Sequence, residues 1–226
     1  MENNLSLKEK FILLAYHPSK GTNMGTNYLG YGIAGAMLLE LAALKKIVIE
    51  NKRVKLIDHK KTGDEQLDYL MDRISSSNTP PRVKALIFKL QGKNKTIKKP
   101  LVAKLVRKRY LRAEQKHFLI FPYYRYPSAN ISYRKDLEEH IRRLVLRDIK
   151  PEDPDISLLI GLAGACRFAL KFFRNRQERK IATKRIKVII KESPVDQAID
   201  ETIKAVQTAI MISVASSAAV TASAGR

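Results

Sequence analysis

Between Leu29 and Leu44 the chain carries a single charge, Glu40, while apolar side chains fall on every face of a helix: Ile33, Met37, Leu38, Leu41 and Leu44 among them. A helix that is apolar all round has no solvent side and must lie inside the fold. Gly32, Ala34, Gly35 and Ala36 crowd its N-terminal half, where a second helix backbone can approach closely. After Lys45 and Lys46 the apolar period changes from 3.6 to 2. Ile47 and Ile49 alternate with Val48 and Glu50, then Val54 and Leu56 with Lys55, around a turn at Asn51 and Lys52. This predicts a β-hairpin directly after the helix. The rest of the chain has to pack around Leu29 to Asp58.

A gapless superposition of Leu41 to Ile57 on Leu105 to Phe121 lays helix end on helix end, Glu50 on Glu114, Lys52 on Lys116 and Leu56 on Ile120. It predicts a second helix-then-hairpin unit, whether by true repetition or by two similar ways of ending a helix. Elsewhere, Ser6 and Glu9 form a capping box ahead of Phe11 to Leu14, and His17 to Asn27 is rich in turn formers, so an exposed loop is expected there. Helical spacing recurs at Leu67, Leu70, Met71 and Ile74, at Val83, Leu86, Ile87 and Leu90, from Pro100 through Leu105, and at Leu137, Ile141, Leu144 and Val145. Pro122 and Pro127 exclude an interior strand beyond the second hairpin. Past the break at Pro151 to Asp155 come further helices, the last opened by Ser193 as N-cap and Pro194 at its first position. The expected fold is mainly α: a single globular multi-helix domain over residues 1–226, core about 5–207, with two short β-hairpins, each following a helix. Residues 208–226 would be a helix end and a frayed tail.

Charge is the strongest compositional signal. With 43 Lys and Arg against 22 Asp and Glu, the formal net charge is +21. From Arg73 to Ala113 there is no acidic residue, and between Arg167 and Lys191 Glu178 stands alone among basic residues. Such a surface attracts polyanions, whether an anionic membrane or nucleic acid. The one cysteine, Cys166, sits in an apolar run, which leaves no disulfide framework and no cysteine metal cage and fits a reducing, cytoplasmic setting. No secretory signal is expected from the first ten residues. The apolar runs Ser157 to Phe173 and Ala209 to Ala224 fall short of the roughly 20 residues a membrane span needs.

Gly30, Gly32 and Gly35 satisfy G-x-G-x-x-G, but a polar loop precedes them where a dinucleotide fold needs a strand. His17, His59, His117 and His140 lack the spacing that puts two ligands on one helix face. No metal, cofactor or catalytic constellation is expected, and no enzyme. A helix followed by a hairpin is also the layout of a winged-helix module. The first unit has no basic side chain between Leu29 and Leu44, whereas the second offers Lys104, Arg107, Lys108, Arg109 and Arg112. Nucleic-acid binding through this second unit is the alternative reading.

The strings LSLKEKFILLAY, GIAGAMLLELAALKKIVI and VRKRYLRAEQKHFLIFPYYRYP, in that order and separated first by a Gly-rich loop, resemble the Golgi phosphoprotein 3 family in a prokaryotic form, from about Leu5 to about Gln207. The resemblance implies a mostly helical single domain and a peripheral membrane protein of the cytoplasmic side. Its eukaryotic members read phosphatidylinositol 4-phosphate and link glycosyltransferase tails to vesicle coats. At the lipid site this chain departs from the pattern. The family's Trp falls near Gly25 or Thr26, one Arg at Ala34, and later Arg positions near Asp136 and Glu139. The implied partners are anionic membrane lipids and the cytoplasmic tails of membrane proteins, with an oligomer left open. Candidate headgroup contacts are Tyr28 beside the loop and Arg125, Arg134, Lys135, Arg142 and Arg143.

Overall fold

The computed structural model describes residues 5–24, 28–149, 153–192, 201–209 and 212. Its elements run α1 (Leu7–Ala15), α2 (Leu29–Ala43), β1 (Ile47–Glu50), β2 (Arg53–Leu56), α3 (Glu65–Ser75), α4 (Val83–Gln91), α5 (Lys99–Arg107), β3 (Glu114–Phe118), β4 (Phe121–Arg125), α6 (Ile131–Leu146), α7 (Pro154–Ala165) and α8 (Arg176–Glu192). Residues 201–209 are helical as well. The architecture is mainly α with two antiparallel two-stranded hairpins, each following a helix. The expected caps at Ser193 and Pro194, the break at Pro151 and the tail beyond residue 212 lie outside the described residues.

α2 is the central helix, packed by α1, α3, α4 and α7. From Tyr31 to Leu39 every one of its residues is buried. A Cβ added at Gly35 would stand 2.7 Å from Val206 Cγ2 and 3.0 Å from Leu162 Cδ2, so glycine is what lets α7 and the 201–209 helix close on this face. Glu40, the one charge in the apolar stretch, is met by Lys8 from α1. At the start of α1 the Ser6 N–H donates to Glu9 Oε2 at 3.1 Å, one half of the expected capping box. Asp64 caps α3, accepting from the Gln66 and Leu67 N–H groups, both at 3.1 Å.

The first hairpin pairs Ile47 with Leu56 through Glu50 with Arg53. Asn51 and Lys52 both take positive φ, as a two-residue hairpin turn requires. Its outer edge is covered locally, since Val54 N–H donates to Pro81 O and Val83 N–H to Lys52 O. The second unit departs from the gapless superposition. Its helix ends in register, Arg107 opposite Ala43, but its strands start later and its turn falls at Leu119 and Ile120 instead of Gln115 and Lys116. Pro122 lies within β4, opposite His117. A two-stranded hairpin leaves one edge of each strand unpaired, so a residue without an N–H is accommodated.

A second difference concerns the start of α5. Residues Asn94–Lys98 form a π-helical turn ahead of it, which periodicity did not signal. The apolar run Ser157 to Phe173 is also not one helix: α7 ends at Ala165, Arg167 takes φ of 60°, and Ala169–Phe172 forms a short 3₁₀ turn.

Candidate functional site

The second hairpin stands off the body, and its tip is the most exposed apolar surface in the described residues: Phe118 is 72%, Leu119 81%, Ile120 83% and Phe121 66% exposed. A strand pair with no core face has nothing to bury its apolar residues against within this chain, and contiguous exposed apolar patches mark interaction surfaces. Its base is fixed. Arg112 N–H donates to Pro127 O, Ala129 N–H to Tyr110 O, Tyr126 N–H to Gly21 O and Ser128 N–H to Pro18 O. The loop after α1, expected to be exposed, is therefore stitched along the chain leaving β4. Gly21 is buried there with φ of 62°, where any Cβ would strike Tyr126 and Pro127.

Between this loop, β4 and the start of α5 opens a cleft of about 520 Å³. The π-helical turn shapes one wall. It closes with the Lys99 N–H on Asn94 O, so Asn94, Lys98 and Lys99 come round to the same side while Ile97 stays in the core. Arg125 enters from the end of β4, and Tyr16, Tyr123, Tyr124 and Tyr126 supply the aromatic wall. None of the described lining residues is acidic. Burial pulls the Lys98 ammonium below its usual pKa, with no carboxylate to restore it. Arg125 Nε is buried without a hydrogen-bond partner, and its guanidinium lies 5.6 Å from the Tyr123 ring centroid. Burial raises the Tyr16 and Tyr126 phenols, which keeps both as neutral donors. A half-buried pair of cations lacking a counter-charge, with phenols nearby, is equipped to receive an anion.

Of the residues expected to touch a headgroup, only Arg125 lines this cleft. Tyr28 precedes α2, half-buried, and its carbonyl accepts from Cys166 Sγ at 3.6 Å. Arg134 is 1% exposed and turned inward, donating to Leu13 O, to Leu14 O at 3.2 Å and to Glu138 at 2.7 Å. It satisfies the carbonyls that end α1. Arg142 is buried too, bonded to Phe172 O and to both oxygens of Glu178. Both guanidinium groups are engaged within the fold and present nothing to a headgroup. Lys135 and Arg143 are exposed on α6, outside the cleft. Asp136 and Glu139 also lie on α6, and Ala34 is buried in α2, so none of the positions the resemblance pointed to forms this site; Gly25 and Thr26 lie outside the described residues. Sequence reading missed Lys98 and Lys99. The acid-free run from Arg73 to Ala113 was the available signal, but it does not say which of its cations share a concavity.

A second constraint falls on α5. Lys104 reaches Glu9 at 3.1 Å and Asp64 at 3.3 Å, and Lys108 lies 2.9 Å from Glu9. These two members of its basic stripe are tied to α1 and to the α3 cap. Among the described residues no group of acidic, His or Cys side chains is placed to hold a metal, and no helix is long and apolar enough to cross a membrane.

A family model described as Golgi phosphoprotein 3 (GPP34) matches residues 7–206. A VPS74-like protein of Dictyostelium discoideum is 28% identical over 133 residues, covering 52% of this chain and 51% of the relative. Vacuolar protein sorting-associated protein 74 of Schizosaccharomyces pombe is 24% identical over 177 residues, covering 67% of this chain and 52% of the relative. The chain thus spans about half the length of the curated relatives it matches.

Proposed function

This chain belongs to the Golgi phosphoprotein 3 family, and from that membership and its own geometry we propose that it is a non-enzymatic peripheral membrane protein of the cytoplasmic side, held to anionic lipid headgroups. The observation that carries the reading is the joining, on one hairpin, of an apolar tip from Phe118 to Phe121 with the carboxylate-free cleft of Lys98, Lys99 and Arg125. The two parts act on different layers of a bilayer. Removing a Leu, Ile or Phe side chain from water contributes about 1.5–3 kcal/mol, and each Lys or Arg near an anionic surface on the order of 1 kcal/mol. Two or three of each suffice for reversible binding without a spanning helix. With family-type Trp and Arg absent at Gly25, Thr26 and Ala34, charge should dominate over recognition of one phosphoinositide. A single-domain organisation, and membrane-protein cytoplasmic tails as clients, belong to the same proposal.

The structure disfavours the winged-helix alternative on one ground. Leu119 and Ile120 at the hairpin tip offer neither a hydrogen bond to a base edge nor a charge to a phosphate.

The protein contains no Trp, so Leu119→Trp installs a single reporter at the tip. Co-sedimentation with acidic liposomes, weakened by salt and little affected by competing duplex DNA, is expected, together with a blue shift of the Trp emission. Equal binding to neutral liposomes, or loss of liposome binding to a DNA competitor, would overturn the reading.

A further inference from the structure

Where this fold neutralises a surface cation it places a carboxylate beside it, even though acidic residues are scarce: Lys46 with Asp58, Lys55 with Glu50, Lys61 with Asp72. The cleft between α3 and α4 gathers three of the many described cations that have no such carboxylate beside them. It encloses about 230 Å³, and its described lining includes Arg73, Lys89, Lys93, Tyr69 and Ser77, and no acidic residue. Tyr69, Arg73 and Ser76 recur at i, i+4, i+7 on one face of α3, and Leu86, Leu90 and Lys93 follow the same spacing along α4 and past its end, so the cleft is the groove between two facing stripes. None of the three cations forms an ion pair among the described residues. Asp72, next to Arg73, is turned to Lys61.

Arg73 and Lys89 each lie in the last turn of their own helix, where a cation is favoured in any case. That accounts for each singly. It does not account for Lys93, which lies past the end of α4, nor for three unpaired cations converging on one concavity. A guanidinium that grips two oxygens and two mobile ammonium groups suit a tetrahedral anion with several acceptor oxygens.

We propose that the α3–α4 cleft is a second phosphate-binding site, acting beside the hairpin cleft so that the protein engages two phosphate groups at once. Lys93 lines this cleft and Asn94, the next residue, lines the other. With consecutive Cα atoms about 3.8 Å apart, the two share an edge. Binding of one headgroup therefore raises the effective concentration of the next at the neighbouring site. The membrane source of that phosphate rests on the function proposed above; the site itself does not.

The test compares Arg73→Gln/Lys89→Gln/Lys93→Gln with a control that removes the same charge from α8, Lys180→Gln/Lys184→Gln/Lys187→Gln, all three exposed. Binding is followed on vesicles of phosphatidylcholine with increasing phosphatidic acid, and amide NMR shifts are followed with inorganic phosphate alone. Matched thermal midpoints establish that both variants fold. Wild type should bind with a steeper than first-power dependence on the acidic fraction. The cleft variant should lose on the order of a hundredfold in affinity and most of that steepness, the control markedly less. Phosphate should shift the Ser76, Ser77 and Lys93 amides in wild type and not in the cleft variant. Shifts without a vesicle difference would assign the site to soluble phosphate and overturn its membrane role. Neither shifts nor a difference from the control would overturn the site. Wild type that ignores acidic vesicles would refute the membrane function, leaving the phosphate shifts to decide the cleft.

Discussion

Lys8 Nζ lies 2.6 Å from Glu40 Oε2 while the Lys8 N–H donates to Oε1 of the same carboxylate, also at 2.6 Å. One glutamate of the central helix thus holds both the side chain and the backbone at the start of α1. Lys8 is 1% exposed and also reaches Asp64 Oδ2 at 3.1 Å, and the chain of charges continues through Lys104 and Glu9 to Lys108. Removing the Glu40 charge leaves buried Lys8 with Asp64 as its remaining carboxylate, so Glu40→Gln should destabilise by somewhat less than the about 3–5 kcal/mol that breaking an isolated buried pair costs. The double change Lys8→Met/Glu40→Leu should recover a large part of it. Urea denaturation of wild type, Glu40→Gln, Lys8→Met, Glu40→Leu and the double variant checks this; a double-variant loss equal to the sum of the Lys8→Met and Glu40→Leu losses would show that the pair is not coupled.

Acid should loosen the same network. Burial alone would raise the Glu9 pKa, but hydrogen bonds from Lys108, the Ser6 N–H and Lys104 outweigh it and hold the carboxyl below its ordinary 4.5. Asp64 is lowered likewise, the attraction of Lys8, the Leu67 N–H and Lys104 overcoming its burial. A carboxyl depressed in the folded state contributes stability that is complete above the unfolded value and is lost as pH falls through the folded one. The urea midpoint should therefore hold steady from neutral pH down to about 4.5 and drop below it. Glu9→Gln should flatten that drop while lowering the neutral-pH midpoint.

Gly35 gives opposite signs for two environments. At an open helical site, Gly→Ala would stabilise by up to about 1 kcal/mol. Here the added atoms meet Val206 and Leu162, so Gly35→Leu should cost about 1–3 kcal/mol as overpacking and lower the thermal midpoint. Vesicle binding by the protein that remains folded should not change, because the hairpin is untouched.

Lys98→Gln/Arg125→Gln separates function from stability. Both cations are partly buried without a carboxylate, so their loss should leave the thermal midpoint level or raised. Affinity for acidic vesicles should fall roughly tenfold or more, at about 1 kcal/mol per cation and 1.4 kcal/mol per factor of ten. Unchanged affinity with an unchanged midpoint would remove the hairpin cleft from the binding face.

The legibility of the chain followed the range of the interactions concerned. Stripes such as Val83, Leu86, Ile87 and Leu90 were readable because helix periodicity is local, and all four are buried. The second hairpin was readable in kind but not in register. Its residues make no core face, so no in–out alternation marks where Phe118 turns into Phe121, and apolar content there reports an outward surface instead of burial.

The site shows the same division between local and long-range information. From residue order alone came the mainly helical class, the interior position of α2, the two hairpins, and a basic run from Arg73 onward in need of an anionic partner. Those rest on composition and on spacing within a few residues. Only the tertiary structure decided which cations face outward. Arg134 and Arg142 look as available in the sequence as Arg125 does, yet they bond carbonyls and a carboxylate 30 to 121 positions away, Leu13, Leu14, Phe172 and Glu178. Lys104 and Lys108 likewise turn to Glu9, while Lys98 and Arg125 line one cleft with no carboxylate among its described lining residues. A charge's partner is set by where distant segments meet in space, and a stretch of sequence carries no record of that meeting.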